Sequence, residues 1–365
     1  MNIDYSVVDK LHFDCVRNCG ICCAFRPQLG DFEMDAIRSD PDICSNFIEE
    51  TNERGEREYY LKLRDSGDDP GACAFLGAGK LCKVYPQRPF KCRLFPFFLR
   101  FGDGIQVDAD LACSGFWYPG GKNAGAQARE SMTDVMKILP EGINAAAGSN
   151  YEQTCGKLKE ADLYIEKEEC CRSVKSLSAR LTEPSGLESI FLAGAGSQFS
   201  SQNIIDDLAG QLVESAFSGK ARAVDFPLFI DKELKWEFFM LDGSDIAVKK
   251  FDETGAVAEV SRKPFEKPKL APLPQDAKEL LIWYLDILNS RQSTYDFALF
   301  SSVENMVQSV LSSYVHAVTL FVVETWAMAQ LYSQVKGLPM DRYVFQKGIQ
   351  AVDNSRVTGP AFDVI

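Results

Sequence analysis

Histidine is scarce in this chain: His12 and His316 are the whole complement in 365 residues. Cysteine is missing from the second half. All 12 cysteines lie at or before Cys171, a distribution that thiols scattered through a core for packing would not show. Positive charge is short as well, with 39 Lys and Arg against 52 Asp and Glu and a net charge of −13. That balance argues against nucleic acid as the main partner, because phosphate binding needs clustered cations. It suits simple solubility, or docking with a basic partner. The opening MNIDYSVVDK has no basic stretch, apolar run or small-residue cleavage site. No secretory signal is expected, and the chain reads as cytoplasmic with reduced thiols. There is no Walker loop, HExxH or GxSxG, no internal repeat and no low-complexity tract.

What the chain does have is a crowd of thiols. Phe13 to Phe25, FDCVRNCGICCAF, sets Cys15, Cys19, Cys22 and Cys23 in one short loop. Ala72 to Phe97 adds Cys73, Cys82 and Cys92, and Cys113 follows in LACSGFW. Thiolates at gaps of two and three residues can converge on one point, which is what a metal ion or an iron–sulfur cluster requires of a peptide. Cys19-x-x-Cys22 alone would suit a zinc knuckle or a redox pair, but a redox CxxC caps a helix beside a strand. Here Cys15 and Cys23 crowd it. Adjacent side chains diverge, so Cys22 and Cys23 suggest two metals close together or a cluster with shared loops. Four thiols within nine positions are hard to explain as packing.

Along the chain, Pro27 to Glu50 reads as two short helices broken at Asp40-Pro41, with Cys44 as a packed thiol in the second. Tyr59 to Leu63 reads as a strand, and Asp65 to Gly71 as a loop. Phe75 to Tyr85 forms a hairpin presenting Cys73 and Cys82 side by side, and Leu94 to Ala109 another, turned at Gly102-Asp103-Gly104. Helical patterns cover Asn123 to Leu139 and Tyr151 to Leu181. Asn203 caps a further helix running to Phe217, with Gly219 beyond it. Val224 to Val260 is an antiparallel meander, broken at Asp242-Gly243 and Thr254-Gly255, and prolines at 264, 268, 272 and 274 punctuate a linker. After Gln275 three helical segments end near Leu288, Val335 and Val352. Tyr314 to Tyr332 is apolar, but Glu324 near its middle would be costly in lipid, so a buried core helix is expected and no membrane span.

Several residues have a plainer reading beside the functional one. Arg88 and Arg93 flank Cys92 and could steady a cluster or hold an anion near it; salt-bridging to an acidic surface is the alternative. His12, three residues before Cys15, is a spare ligand or an exposed loop residue. His316 reads as a satisfied core histidine. Cys155, Cys170 and Cys171 read as core or surface thiols, though the second adjacent pair leaves an extra site open. Phe191 to Gly196 looks like a strand feeding a Gly-x-Gly turn, but Phe199 takes the third glycine's place and no acidic residue follows at the usual distance. The CxxxCxxC spacing of radical S-adenosylmethionine enzymes fits Cys15, Cys19 and Cys22, yet no barrel of alternating strands and helices follows.

The run Cys15 to Cys23, then CAFLGAGKLCKVYPQRPFKCRLFPF, then Cys113-Ser114-Gly115, resembles the CxxCxxCC family of zinc- or iron-chelating proteins, the YkgJ-like cysteine-cluster proteins. The matching places are Cys73, Phe75-Leu76, Cys82, Val84-Tyr85, Arg88-Pro89, Cys92-Arg93, Phe95-Pro96 and Cys113. Ser114 departs from the family's usual proline. The resemblance covers about the first third of the chain and implies metal or iron–sulfur binding through Cys15, Cys19, Cys22, Cys23, Cys73, Cys82, Cys92 and Cys113. A flagellin lysine N-methylase branch of similar length brings in methyl transfer by analogy. Eight matched cysteines equal the need of two four-cysteine centres.

The expectation is an α+β protein with three parts. Residues 1–120 form a cysteine-cluster domain of short hairpins, 121–263 a helical connector plus small antiparallel sheet, and 275–365 a C-terminal helical domain. Its expected role is an iron–sulfur protein moving electrons, with one cluster or two and a protein redox partner. The alternatives are a lysine N-methyltransferase-like protein with a structural cluster and a zinc-stabilised interaction module. Iron–sulfur is favoured over zinc because structural zinc sites use paired knuckles and one such pair occurs here. The substrate, the catalytic residues and the oligomeric state are not written in the sequence.

Overall fold

Short-range rules place most of the breaks between elements. The computed structural model describes residues 3–23, 28–51, 55, 57–64, 72–137, 139, 142–195, 203–218, 228–231, 233–251, 257–358 and 362–364. The chain opens with the short strands β1 (Ile3–Asp4), β2 (His12–Phe13) and β3 (Gln28–Leu29). Helices α1 (Met34–Ser39) and α2 (Pro41–Cys44) part at Asp40, whose carboxylate accepts from the N–H groups of Asp42 and Ile43 while Pro41 takes the first helical position. The chain then turns to strand rather than helix: β4 (Phe47–Thr51) pairs antiparallel with β5 (Arg57–Leu61), and β3 adds to the other edge of β5. Aromatic and β-branched residues at 47, 48 and 51 favour that pleated surface over a helix.

The short helix α3 (Phe90–Leu94), unforeseen in the sequence, carries Cys92. Strands β6 (Phe97–Gly102) and β7 (Gly104–Ala109) form the expected hairpin. Strand β8 (Lys122–Asn123) pairs with β2. The helical stretch that follows is α4 (Ala124–Val135), α5 (Ile143–Glu160) and α6 (Lys167–Leu181), so the run anticipated as one helix from Tyr151 is two. The segment around Phe191 lies in helix α7 (Pro184–Ala195), not in a strand, and Gly196 to Phe199 fall outside the described residues. Helix α8 (Ile204–Ser218) follows, with Gly219 also outside them.

The meander is β9 (Leu228–Ile230), β10 (Trp236–Asp242), β11 (Asp245–Phe251) and β12 (Val257–Pro264), all antiparallel in sequential order; the Thr254-Gly255 turn and Asp65 to Gly71 lie outside the described residues. Four helices, not three, complete the chain: α9 (Gln275–Ser290), α10 (Gln292–Asn305), α11 (Val310–Lys336) and α12 (Arg342–Val357). Arg291, in extended backbone, separates the first two. Strand β13 (Asp363–Val364) returns to the N-terminal hairpin, so one sheet runs β1-β7-β6-β13 and holds both ends of the chain. Helix α11 is, among the described residues, the one long and apolar enough to cross a membrane, and 67% of its most apolar window is buried inside the fold. It crosses α12 closely at Gly348, where a Cβ would stand 2.2 Å from the Thr325 carbonyl.

Two hydrophobic cores result. The larger takes Val7 to Phe13 and the β6–β7 hairpin together with α4 to α12. The smaller gathers the cysteine loops with Leu29, Ile37, Tyr59 and Leu61, and borrows Ile230, Trp236, Phe238 and Phe251 from the meander. Side chains alternate across a strand, so Phe238 faces the small core while Phe239 faces the large one.

Candidate metal centre

The eight cysteines reach one neighbourhood by four separate chain segments. In the first loop the Cys23 N–H donates to the Gly20 carbonyl at 2.8 Å, folding the loop tightly enough to turn Cys22 and Cys23 back toward Cys19. Gly20 has φ +62, and a Cβ there would lie 2.8 Å from the Cβ of Lys80, so the residue must be glycine for the loop to sit against the second segment. The second segment is tied on by the Cys73 N–H, which donates to the Cys23 carbonyl at 2.7 Å. Its expected hairpin is reduced to a bridge between Leu76 and Cys82 around a turn at 77–81. The third segment is α3, and the buried Glu33 carboxylate accepts from the Phe90 N–H at its start, at 2.7 Å. The fourth is the turn Asp110 to Cys113, held beside the first loop by the Asp14 N–H donating to the Gly115 carbonyl at 3.1 Å.

Cys22 stands at the middle. Each of the other seven thiols, Cys15, Cys19, Cys23, Cys73, Cys82, Cys92 and Cys113, lies within its electrostatic reach. A hydrogen bond from Cys23 brings the Cys22 thiol down to about 7, and the same thiol bonds to Cys73 and lowers it too. Cys23, which supplies the proton to both, is pushed up by those bonds. Burial raises Cys15, Cys19, Cys82, Cys92 and Cys113. Arg88 works in the opposite direction, favouring the thiolate at Cys15, Cys22, Cys82 and Cys92, and Arg64 does so at Cys73. Most of these thiols therefore cannot ionise together without a further cation among them.

Among the described residues, no three Cys, His, Asp or Glu side chains stand together as a closed metal cage. The donor set fits a soft or borderline metal by its chemistry: thiols from four segments, several with desolvation that only a bound cation would offset. Arg88 suits such a group, since four thiolates around a divalent ion leave net negative charge.

The remaining cysteines stand apart. Cys44, expected as a packed thiol, is exposed on α2: the buried face of that short helix is Ile43, which turns the next position outward. Cys155 and Cys170 are buried in the large core. The Cys171 Sγ donates to the Asn289 carbonyl at 3.1 Å and lies 3.7 Å from the Tyr314 hydroxyl. His12 is exposed on β2. His316 is half-buried against the Phe191 ring rather than enclosed in the core. Arg93 is exposed, with its charge acting on Glu33.

Two supports were invisible in the sequence. The indole Nε1–H of buried Trp236 donates to the Cys19 carbonyl at 2.7 Å, fastening the meander to the first loop. Beneath the fourth segment lies a fully buried ionic network. Arg291 donates to Asp108 at 3.0 Å and to Asp353 at 2.7 and 2.8 Å, Arg100 pairs with Asp296 at 3.1 Å, and Asn354 donates to Asp110 at 2.7 Å. Asp353 also accepts from the Leu111 N–H at 2.6 Å, which locks the turn that presents Cys113. These partners lie 62 to 244 positions apart, so no local spacing announces them.

None of the curated proteins and none of the solved structures matches this chain. One family model does: CxxCxxCC, described as a "putative zinc- or iron-chelating domain", matches residues 14–114. That span contains all eight convergent cysteines and ends one residue beyond Cys113. Over residues 14–114, somewhat under a third of its length, the chain is similar to the CxxCxxCC family, and what that match supports is metal binding.

Proposed function

We propose that Cys15, Cys19, Cys22, Cys23, Cys73, Cys82, Cys92 and Cys113 hold an iron–sulfur centre, one cluster or two, and that the protein serves a redox or electron-transfer role in the cytoplasm. The observation that carries this reading is the arrangement of seven thiols around an eighth, with Cys22 and Cys23 both turned inward. A single tetrahedral zinc would take four of the eight and strand one of the adjacent pair; a polynuclear centre can use more. When bound, such a centre supplies reversible one-electron chemistry. The chain supplies thiolate donors, the Arg88 charge and the two buried cores that exclude water from one side.

Methyl transfer is the weaker alternative. The glycine-rich stretch that could have suggested a nucleotide-type turn continues a helix as far as it is described. The test is anaerobic purification with metal and sulfide analysis and a visible spectrum. Brown protein that bleaches on reduction supports the proposal. Colourless protein with stoichiometric zinc, unchanged by anaerobic reconstitution with iron and sulfide, overturns it in favour of a zinc-stabilised interaction module. S-adenosylmethionine binding by calorimetry would bring the methyltransferase reading forward.

A further inference from the structure

The chain is acidic, yet residues 72–102 carry Lys80, Lys83, Lys91, Arg88, Arg93 and Arg100 and not a single Asp or Glu. Three of these cations are used internally. Lys80 bonds the Leu234 carbonyl, Lys91 donates to Gln28, and Arg100 pairs with Asp296. Lys83 and Arg17 are exposed, and neither has a hydrogen-bond or ion-pair partner among the described residues. Arg88 donates one N–H to the Tyr85 carbonyl and lies 3.7 Å above the Tyr85 ring, so its remaining donors are not spent on a carboxylate.

These three cations stand on the two touching loops that carry Cys15 and Cys82. Arg17 lies between Cys15 and Cys19, Lys83 follows Cys82, and the field of Arg88 reaches Cys15 and Cys82. The two loops touch: a Cβ on Gly79 would stand 3.8 Å from the Asn18 side-chain oxygen. Cys15 is exposed here and Cys82 half-exposed, so this is the side from which the thiol cluster can be approached. Two large apolar side chains flank it in the open: Leu81 and Tyr85, each 59% exposed. Asp14, beside Cys15, is the opposing charge. An exposed tyrosine stacked beside an arginine is the composition of a protein-binding hot spot, and the neighbouring Leu81 adds apolar area to it.

We propose that this face is a docking surface for an acidic protein partner, whose carboxylates meet Arg17, Lys83 and Arg88 while an apolar residue covers Leu81 and Tyr85. Charge complementarity selects the occupant: a basic partner would be drawn to the rest of this acidic chain and repelled at this face. The inference takes its purpose from the metal-centre reading, because the partner would be brought against the accessible thiols, but the docking itself can be measured without it.

The experiment uses the full chain as purified, with metal content determined on every sample. A fluorescent peptide alternating Glu with Leu and Tyr is titrated by anisotropy, beside a peptide of equal length with Lys in place of Glu. The acidic peptide should bind and the basic one should not. Binding should weaken as the screening length shrinks from about 10 Å at 0.1 M salt to about 3 Å at 1 M. Lys83→Glu and Arg17→Glu should each weaken binding roughly tenfold, with metal content checked on both variants. Tyr85→Ala should weaken it without changing its salt dependence. Lys175→Glu, exposed on α6, should leave it unchanged. Equal binding of the two peptides, or indifference to both charge reversals, overturns the proposal. So does inorganic phosphate or citrate competing fully with Tyr85→Ala without effect, which would make the face a small-anion site. Concentration-dependent self-association abolished by Lys83→Glu overturns it in favour of a second copy of this chain. Metal-free protein that still binds the acidic peptide keeps the docking surface while removing the metal reading; metal-loaded protein that ignores the peptide does the reverse.

Discussion

The two cores of this protein handle buried charge in opposite ways. In the large core, Arg291 and Arg100 are fully buried together with Asp108, Asp296 and Asp353, and each charge meets its opposite inside the chain. In and beside the small core, eight thiols crowd together, with Cys113 at the edge of the large core and Cys15 exposed, and Arg88 acts on four of them. Burial and mutual repulsion hold most of these thiols in the protonated form. The first arrangement supplies its own cations. The second becomes stable as thiolates when positive charge is supplied from outside the chain, which is the condition a bound metal meets. A buried ionisable cluster whose carboxylates meet guanidiniums inside the chain therefore reads as a lock, and one short of any such partner reads as a site.

The sharpest way to break that contrast is to remove the central thiol. Cys22→Ser should lose most of the bound metal and much of the soluble yield, because the binding free energy of a multivalent thiolate centre, on the order of 10 kcal/mol, is also folding free energy. Cys44→Ser should change neither, since that thiol is exposed on α2 and outside the cluster's field. The pair is read by metal analysis and thermal melts with and without chelator. Equal metal content in both variants would show that the small core is merely thiol packing.

Much of this site was legible because its information is local. Cysteine spacing, glycine at turns and the alternation of FPLFI, KWEFFML and DIAVKKF are written within a few residues, and the hairpin β6–β7 and the meander follow from them. Short helices were harder. The pentapeptide carrying Cys92 has too few residues to show a period, and Cys44 needed the orientation of α2 to be placed outside. The ionic lock was illegible for a different reason. Arg100, Arg291, Asp108 and Asp353 look like ordinary surface charges until the fold closes partners from opposite ends of the chain around one another. The packing of the helices of residues 275–365 against the β6–β7 hairpin in one core likewise has no local signal, because it joins segments far apart in the chain.

Breaking the lock should cost stability without touching the metal donors directly. Arg291→Met leaves Asp108 and Asp353 buried without their cation, and should destabilise the fold by about 3–5 kcal/mol. Metal bound per folded molecule should be nearly unchanged. If metal is lost before the fold melts, the lock belongs to the site through Leu111 and Cys113, and the contrast between the cores narrows.

Titration tests the same lock more gently. Burial, partly offset by Arg100, pushes Asp296 up to about 6 from its ordinary 3.8. Between those two values the folded chain keeps a proton that the unfolded chain has released, so stability falls as pH rises through the window and levels off above it. At about 1.4 kcal/mol per unit the fall is up to roughly 3 kcal/mol. Urea titrations at about pH 4 and pH 7 should show it in the parent protein, and Asp296→Asn, which cannot titrate, should show a flatter profile. An identical slope in both proteins would mean that Asp296 stays ionised throughout, held by Arg100 more tightly than burial opposes it.

The smallest expected effect lies where the two cores meet. Trp236 belongs to β10, whose Phe239 faces the large core, while the Trp236 indole reaches into the small one and donates to the Cys19 carbonyl. Its ring also packs edge-on against Phe251 at 5.5 Å and beneath the Lys80 ammonium at 5.1 Å. Phenylalanine would keep most of that packing and lose the hydrogen bond, so Trp236→Phe should cost about 1 kcal/mol of stability. The more telling readout is kinetic. Without the indole the Cys19 carbonyl loses its partner, the first loop gains freedom, and a chelator should strip metal from the variant several-fold faster while equilibrium stability barely moves. Unchanged stripping with the same loss of stability would make Trp236 a packing residue alone and leave the cysteine loops anchored by their own backbone bonds, Cys73 to Cys23 above all.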